Sequence, residues 1–283
     1  MRKATLRLNC RDVPGIVYHV SKFIFERGGN IIHAQQHREE LDDRFFMRVH
    51  FDCAQMVDDK AKIRRDLADL ATQFDMETRL SFSDERKRLA IMVSKYDHCL
   101  YDLFLRHRYG EIGADIALVV SNHPDLQGIS EAFGAPFVYT PVTRENKAEA
   151  EAQTHALFQD YGVDFVVLAR YMQILSPYLV ERYRHRIINV HHGFLPAFKG
   201  AKPYHQAYQR GVKLIGATSH YVTEELDMGP IIGQEIIRVN HSHSVQDLTA
   251  MGRDIEKKVL AEAVRAHAED RIMVYSHRTI VFE

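Results

Sequence analysis

The feature that most constrains this chain is a change of rhythm near residue 84. Downstream, short apolar runs recur at residues 89–93, 116–121, 137–139, 165–169 and 187–190. Stretches of helical length, such as 147–161, lie between most of them. Short apolar strands alternating with amphipathic helices bury their surfaces as a parallel sheet with helices on both faces. In such a sheet, ligands gather at the carboxyl ends of the strands. Functional side chains are therefore expected after Val93, Ser121, Ala169 and Val190.

Upstream the pattern differs. Residues 4–10 alternate as a strand, and Asp12-Val13-Pro14-Gly15 reads as a loop. Ile16, Val20, Phe23 and Ile24 then share one helical face over 16–26, until Gly28-Gly29 stops the helix. Residues 30–36 and 44–53 read as strands around a polar turn, 57–74 as a second helix and 76–82 as a fourth strand. That order, strand-helix-strand-strand-helix-strand, predicts a ferredoxin-like α+β sandwich. The polar run 83–88 separates the halves. It places domains at 1–83 and 89–283, with 84–88 as linker and Arg86-Lys87-Arg88 as a solvated basic run.

Composition excludes several classes of function. With 46% hydrophobic and 27% charged residues, the 283-residue chain has a globular profile. Lysine and arginine total 37 against 38 acids, a net charge of −1, which disfavours nucleic acid and anionic membranes as partners. No apolar run matches a membrane span and no secretory leader opens the chain. Cys10, Cys53 and Cys99 are scattered and odd in number, which suits reduced thiols in a cytoplasm better than disulfides or a zinc site. Dinucleotide, P-loop, serine-elbow and H-E-x-x-H motifs are all missing from the sequence.

Chemistry concentrates after residues 187–190. Asn189 and His191, two apart at a strand end, point the same way because strand side chains alternate. Farther on come His220 and Asp227-Met228-Gly229-Pro230. An amide N–H can hold a carbonyl oxygen as it becomes negative. An imidazole can move a proton, and a carboxylate can orient that imidazole or take a proton from water. Each residue alone has a plainer use: Asn189 as a strand-end cap, His191 as a packed imidazole, Asp227 as a turn residue. Met172 to Leu175 alone reads as well as core packing. His192, His205 and His220, joined by His191 and Asp227, are also residue types that bind zinc. Lys95 and His98 follow the first strand of the second half, where they either face a site mouth or cap a helix.

The spaced set as a whole is more specific. N-x-H-x-x-F-L-P-x-F-x-G-x-x-P at 189–203, G-A-T-x-H at 216–220 and H-x6-D-x-G-P at 220–230 resemble the folate-dependent formyltransferase-fold enzymes. Residues 94–100, 121–126, 168–176 and 188–198 are similar to the formyltetrahydrofolate deformylase family in particular. The first half resembles an ACT regulatory domain through Asp12, Gly15-Ile16 and Gly28-Gly29-Asn30-Ile31. The resemblance spans almost the entire chain. It implies an α/β protein, with an ACT domain ahead of a doubly wound, mostly parallel formyltransferase-fold sheet.

It further implies hydrolysis of 10-formyltetrahydrofolate, as substrate, to formate and tetrahydrofolate, without cofactor or metal. Asn189, His191 and Asp227 then form the catalytic triad. Met172, Gln173, Ile174, Leu175, His220, Glu224, Glu225 and Leu226 hold the folate. An amino-acid effector is expected near Asp12, Gly15, Ile16, Asn30 and Ile31, in a homo-oligomer, tetramer or dimer. The alternatives are a formyltransferase acting on a small amine and a catalytically dead amino-acid sensor. A ribonucleotide transferase of this fold cradles phosphate on a glycine-rich turn after the first strand, and residues 94–99 contain no glycine. One departure is visible: Gly193 stands where the family pattern tends to carry serine.

Overall fold

A computed structural model describes residues 2–196 and 203–283. Gly200 and Phe198 of the long motif lie outside the described residues. The chain divides into two compact units, one ending at Arg86 and joined by Phe282–Glu283, the other Lys87–Val281.

The first unit runs β1 (Lys3–Arg11), α1 (Ile16–Glu26), β2 (Asn30–Glu39), β3 (Arg44–Asp52), α2 (Lys60–Gln73) and β4 (Glu77–Phe82). Its antiparallel sheet has the order β2-β3-β1-β4, the ferredoxin-like arrangement expected. Helix α1 buries Ile16, Val20, Phe23 and Ile24 against the sheet core, the face its spacing predicts. Helix α2 starts at Lys60 rather than 57, because Asp59 caps it by accepting a hydrogen bond from the Lys62 N–H at 2.6 Å.

The second unit runs β5 (Lys87–Val93), α3 (His98–Arg108), β6 (Ala114–Ser121), α4 (Gln127–Ala132), β7 (Phe137–Tyr139), α5 (Lys147–Asp160) and β8 (Phe165–Leu168). It continues with α6 (Pro177–Arg182), β9 (Ile187–His191), α7 (Pro203–Gln209), β10 (Leu214–Tyr221), β11 (Ile231–Arg238), α8 (Val245–Ala268) and the small hairpin β12 (Ile272–Tyr275) and β13 (Arg278–Val281). The seven-stranded sheet has the order β11-β10-β9-β8-β5-β6-β7. Its strands from β7 to β9 are parallel, and β10 and β11 add an antiparallel edge. One core packs α3 and α8 on one face; the other packs α5 and α6 on the opposite face.

Strand β5 begins at Lys87, so residues 87 and 88, read from sequence as linker, belong to the sheet. The basic run is not wholly solvated. Lys87 Nζ donates to the carbonyls of His267 and Ala268 at the end of α8 and pairs with buried Asp270 at 2.8 Å. A cation there complements the negative end of the helix dipole. From β5 the chain winds outward through β6 and β7, then returns to β8 and β9 on the other side. The order therefore reverses between β5 and β8, and that switch point is where an open α/β sheet leaves a crevice.

Candidate active site

The crevice is a cleft of about 590 Å³ at the carboxyl ends of β5, β8 and β9. Asn189 and His191 lie on β9, and His220 on antiparallel β10 is register partner to Asn189. Pairing across the ladder sets Asn189 Nδ2 3.2 Å from His220 Nε2. The other ring nitrogen of His220 lies 2.9 Å from the Tyr221 carbonyl, which can only accept, so Nδ1 carries the hydrogen. The Asn189 amide nitrogen can only donate, so Nε2 accepts one of its hydrogens and leaves the second uncommitted.

Asp227 arrives from the turn after β10. It has φ +57°, a left-handed conformation uncommon for a non-glycine residue. Gly229 makes that turn feasible: a Cβ there would stand 1.7 Å from the Tyr221 carbonyl oxygen. The turn delivers Asp227 Oδ2 to 3.1 Å from His191 Nδ1 and Oδ1 to 3.7 Å from His220 Nε2. Burial opposes ionisation of this carboxyl, but the hydrogen bond from His191 outweighs it and holds Asp227 well below the usual carboxylate range.

All the folate contacts expected from sequence line the same cleft. Leu175 is also buried in the core beneath α5 and α6, so its side chain serves packing as well, whereas Met172 and Ile174 are more than half exposed. The loop carrying them is pinned at both ends. Met172 N–H donates to Ser94 Oγ at 3.0 Å, and Ser94 Oγ in turn donates to Asn122 Oδ1 at 2.6 Å. At the far end Ser176 N–H donates to Glu151 Oε1 at 2.9 Å, and its hydroxyl donates to Oε2. Gly193 is buried, and its carbonyl accepts from Thr218 Oγ1 at 2.9 Å.

Of the residues left open by sequence, His98 faces the cleft as the first residue of α3, bonded to Glu256 at 2.8 Å. Lys95 is exposed and outside the cleft lining. His192 and His205 line the cleft and, among the described residues, join no metal-ligand cluster. Burial and nearby Arg170 push the His192 imidazole down to about 4. Among the described residues the donors grouped closely enough for a metal are His98, Cys99 and Glu256. Burial, reinforced by Glu256, raises the Cys99 thiol far above its ordinary range, so the thiolate a metal needs is disfavoured.

Sequence reasoning gave no role to Arg170, Tyr204, Glu151 and Glu256. The two acids had a readable signal: each sits on the apolar face of its helix, Glu151 beside Ala150, Thr154 and Phe158, and Glu256 beside Ile255, Val259 and Leu260. A carboxylate in that position needs a buried partner.

The fold and site define a folate-type formyl-transfer scaffold carrying an Asn-His-Asp cluster, and the comparisons agree. Residues 87–264 match the formyl transferase family model and residues 4–68 the ACT domain model. A formyltetrahydrofolate deformylase from Synechocystis sp. is 48% identical over 279 residues, covering 99% of this chain and 98% of that protein. The crystal structure of a formyltetrahydrofolate deformylase from Pseudomonas syringae superimposes with TM-score 0.97 at 46% identity, covering 100% of this chain and 95% of that one. The crystal structure of glycinamide ribonucleotide transformylase 1 from Symbiobacterium toebii has TM-score 0.67 at 30% identity, covering 72% of this chain and 98% of that one. The chain belongs to the formyltetrahydrofolate deformylase family.

Proposed function

We propose that the protein hydrolyses 10-formyltetrahydrofolate to formate and tetrahydrofolate. The observation that carries this reading is the meeting of Asn189, His191 and Asp227 in one cleft, with a firmly ionised carboxylate against the imidazole. The pterin lies between the Met172–Leu175 and Glu224–Leu226 segments. The free amide hydrogen of Asn189 and the outer N–H of His191 hold the formyl oxygen as water adds to the carbon. One such donor is worth about 2.7–4 kcal/mol in comparable oxyanion holes. Asp227 orients the water and takes its proton. A carboxylate held so far below its usual range cannot keep that proton, so it passes on to N10 as the C–N bond breaks. No metal or cofactor takes part in this scheme.

The test is formate release by purified protein from 10-formyltetrahydrofolate alone, without amine, nucleotide or added metal. If tetrahydrofolate formed only when an amine acceptor was supplied, with the formyl carbon on that acceptor, a transferase would replace this reading. The shared fold of the transformylase does not separate the two. The glycine-free segment after β5, with Tyr96 half-exposed at the cleft, favours the hydrolase.

The formate released is a one-carbon unit for purine synthesis, and the three buried, unpaired cysteines suit a cytoplasmic setting. No helix among the described residues is long and apolar enough to cross a membrane. An amino acid binds the first unit near Asp12, Gly15, Ile16, Asn30 and Ile31, where two copies pair. Exposed Val17, Tyr18, Phe25 and Ile32 on α1 and β2 supply apolar surface for that pairing. Light scattering that found a monomer at micromolar concentration would refute the pairing. Calorimetry with the twenty amino acids, finding neither heat nor a change in rate, would refute the effector.

A further inference from the structure

Beyond the triad, the cleft holds a buried cation with two nitrogens that have no hydrogen-bond partner among the described residues. Arg170 follows β8 at the switch point and sits at φ +63°, which turns its side chain into the cleft wall. Its side chain is 10% exposed. Among the described residues, Nε and Nη1 are closed off from solvent and have no hydrogen-bond partner. Two neighbours orient the group without satisfying it. The Tyr96 ring lies 4.8 Å from the guanidinium carbon, and Glu256 Oε2 is 3.6 Å from Nη1, beyond hydrogen-bond length. Glu256 is engaged elsewhere: Oε2 takes His98 at 2.8 Å and Oε1 takes the Tyr204 hydroxyl at 2.7 Å. A buried guanidinium with idle donors is costly unless an acceptor arrives.

The proposed reaction makes such an acceptor in the same cleft. As R2N–CHO and water become R2NH and formate, the C–N bond breaks and a C–O bond forms. N10 gains a proton, and one proton is released as formic acid ionises. The new carboxylate arises beside ionised Asp227, which repels it. Arg170 and Asp227 line the same cleft, and a short run of contacts links them: Arg170 Nη1 is 3.6 Å from Glu256, which takes the Tyr204 hydroxyl, and the His192 ring lies 6.3 Å from the Tyr204 ring and 5.3 Å from the ring of His191, the partner of Asp227. We propose that Arg170 is a formate-holding subsite, drawing the product carboxylate away from Asp227 before release. The proposal rests on the deformylase reading for the identity of the anion; the geometry of the subsite does not depend on it.

The test compares wild type with Arg170→Gln, and reads formate as product inhibitor alongside KM for 10-formyltetrahydrofolate. Expected is an inhibition constant for formate that rises at least about tenfold in the variant, while KM rises less than about twofold, since a bidentate or charge-assisted bond is lost only to the product. Arg170→Lys, which keeps the charge, recovers part of the formate affinity. An unchanged inhibition constant overturns the proposal. So does a KM that rises with 10-formyltetrahydrofolate but not with its glutamate-free pteroate analogue, which would give Arg170 to the substrate's own carboxylates. Should the variants fail to fold, formate titrated into wild type decides: a thermal shift with formate that chloride does not reproduce supports the subsite, and no shift removes it. That titration needs no turnover, so it separates failure of the subsite from failure of the deformylase reading, which shows as wild type releasing no formate.

Discussion

Asp227→Asn isolates the charge of the triad from its shape. The amide has the carboxylate's size, and its oxygen can still accept the hydrogen of His191 Nδ1 across the present 3.1 Å. What disappears is the ion pair that favours the charged imidazole while the oxyanion forms, together with the acceptor for the water proton. At 3.1 Å and an effective dielectric of about 20, a unit charge pair is worth roughly 5 kcal/mol. A retained neutral hydrogen bond returns about 1 kcal/mol of this. The remainder, about 4 kcal/mol, corresponds to roughly a 10³-fold fall in kcat, within the range for positioned acid–base groups. KM should change little, because Asp227 acts on the reacting carbon rather than on the pterin. The assay is the initial rate of formate release at saturating substrate, with a far-ultraviolet spectrum to show the fold intact. A variant turning over within a few-fold of wild type would show that neither the charge nor the base of Asp227 is used, and the proposed proton path would fall.

Three further outcomes are expected. Glu151→Ala should unpin the end of the Met172–Leu175 loop and raise KM about tenfold, the worth of one or two hydrogen bonds, with little change in kcat; Glu151→Gln, whose amide oxygen still accepts from the Ser176 N–H and whose NH2 can donate to the Ser176 hydroxyl, should largely restore it in the same steady-state assay. His192 is held neutral by burial, with its folded pKa below its unfolded one, so its contribution to stability is present above about pH 6.5 and is lost as pH falls toward 4. His192→Gln should therefore move the acid-unfolding midpoint to lower pH, read by circular dichroism. Gly252→Ala would set a Cβ 2.0 Å from the Tyr204 hydroxyl, displacing the ring and its bond to Glu256; a loss of about 1–3 kcal/mol is expected, seen as a lowered Tm.

The strands and helices were readable because their periodicity is local. Ile16, Val20, Phe23 and Ile24 mark one face whatever lies around them, and the alternating runs after residue 84 admit few arrangements. Asn189 and His191 were readable for the same reason, since one strand end carries both. Asp227 was placed by resemblance alone. Its contact with His191 depends on β10 pairing antiparallel with β9 and on a turn held by Gly229, neither of which has a periodic signature. The boundary at Arg86-Lys87-Arg88 misled because charge was read as solvation, while Lys87 is drawn onto the sheet by Asp270 and the end of α8, some 180 residues away in sequence. The same distance hid Glu256: nothing near it in sequence names His98, Tyr204 or Arg170 as its neighbours.

The two helical acids give the cleft a common logic of construction. Chain reversal at β5 and β8 creates a crevice, but the loops that line it have no sheet neighbours to fix them. Each wall is held instead by a carboxylate planted on the buried face of a covering helix. Glu151 on α5 takes two donors from Ser176 and fixes the end of the Met172–Leu175 loop. Glu256 on α8 takes His98 and Tyr204 and fixes the opposite wall, with Arg170 beside it. Burying a carboxylate is unfavourable unless its oxygens are satisfied, so each acid strongly disfavours conformations in which its loop swings away. Burial opposes ionisation of Glu256, yet the bonds from His98 and Tyr204 and the charge of Arg170 hold it below its ordinary range, so it stays charged. The cleft walls are thus set by helices that carry none of Asn189, His191 and Asp227.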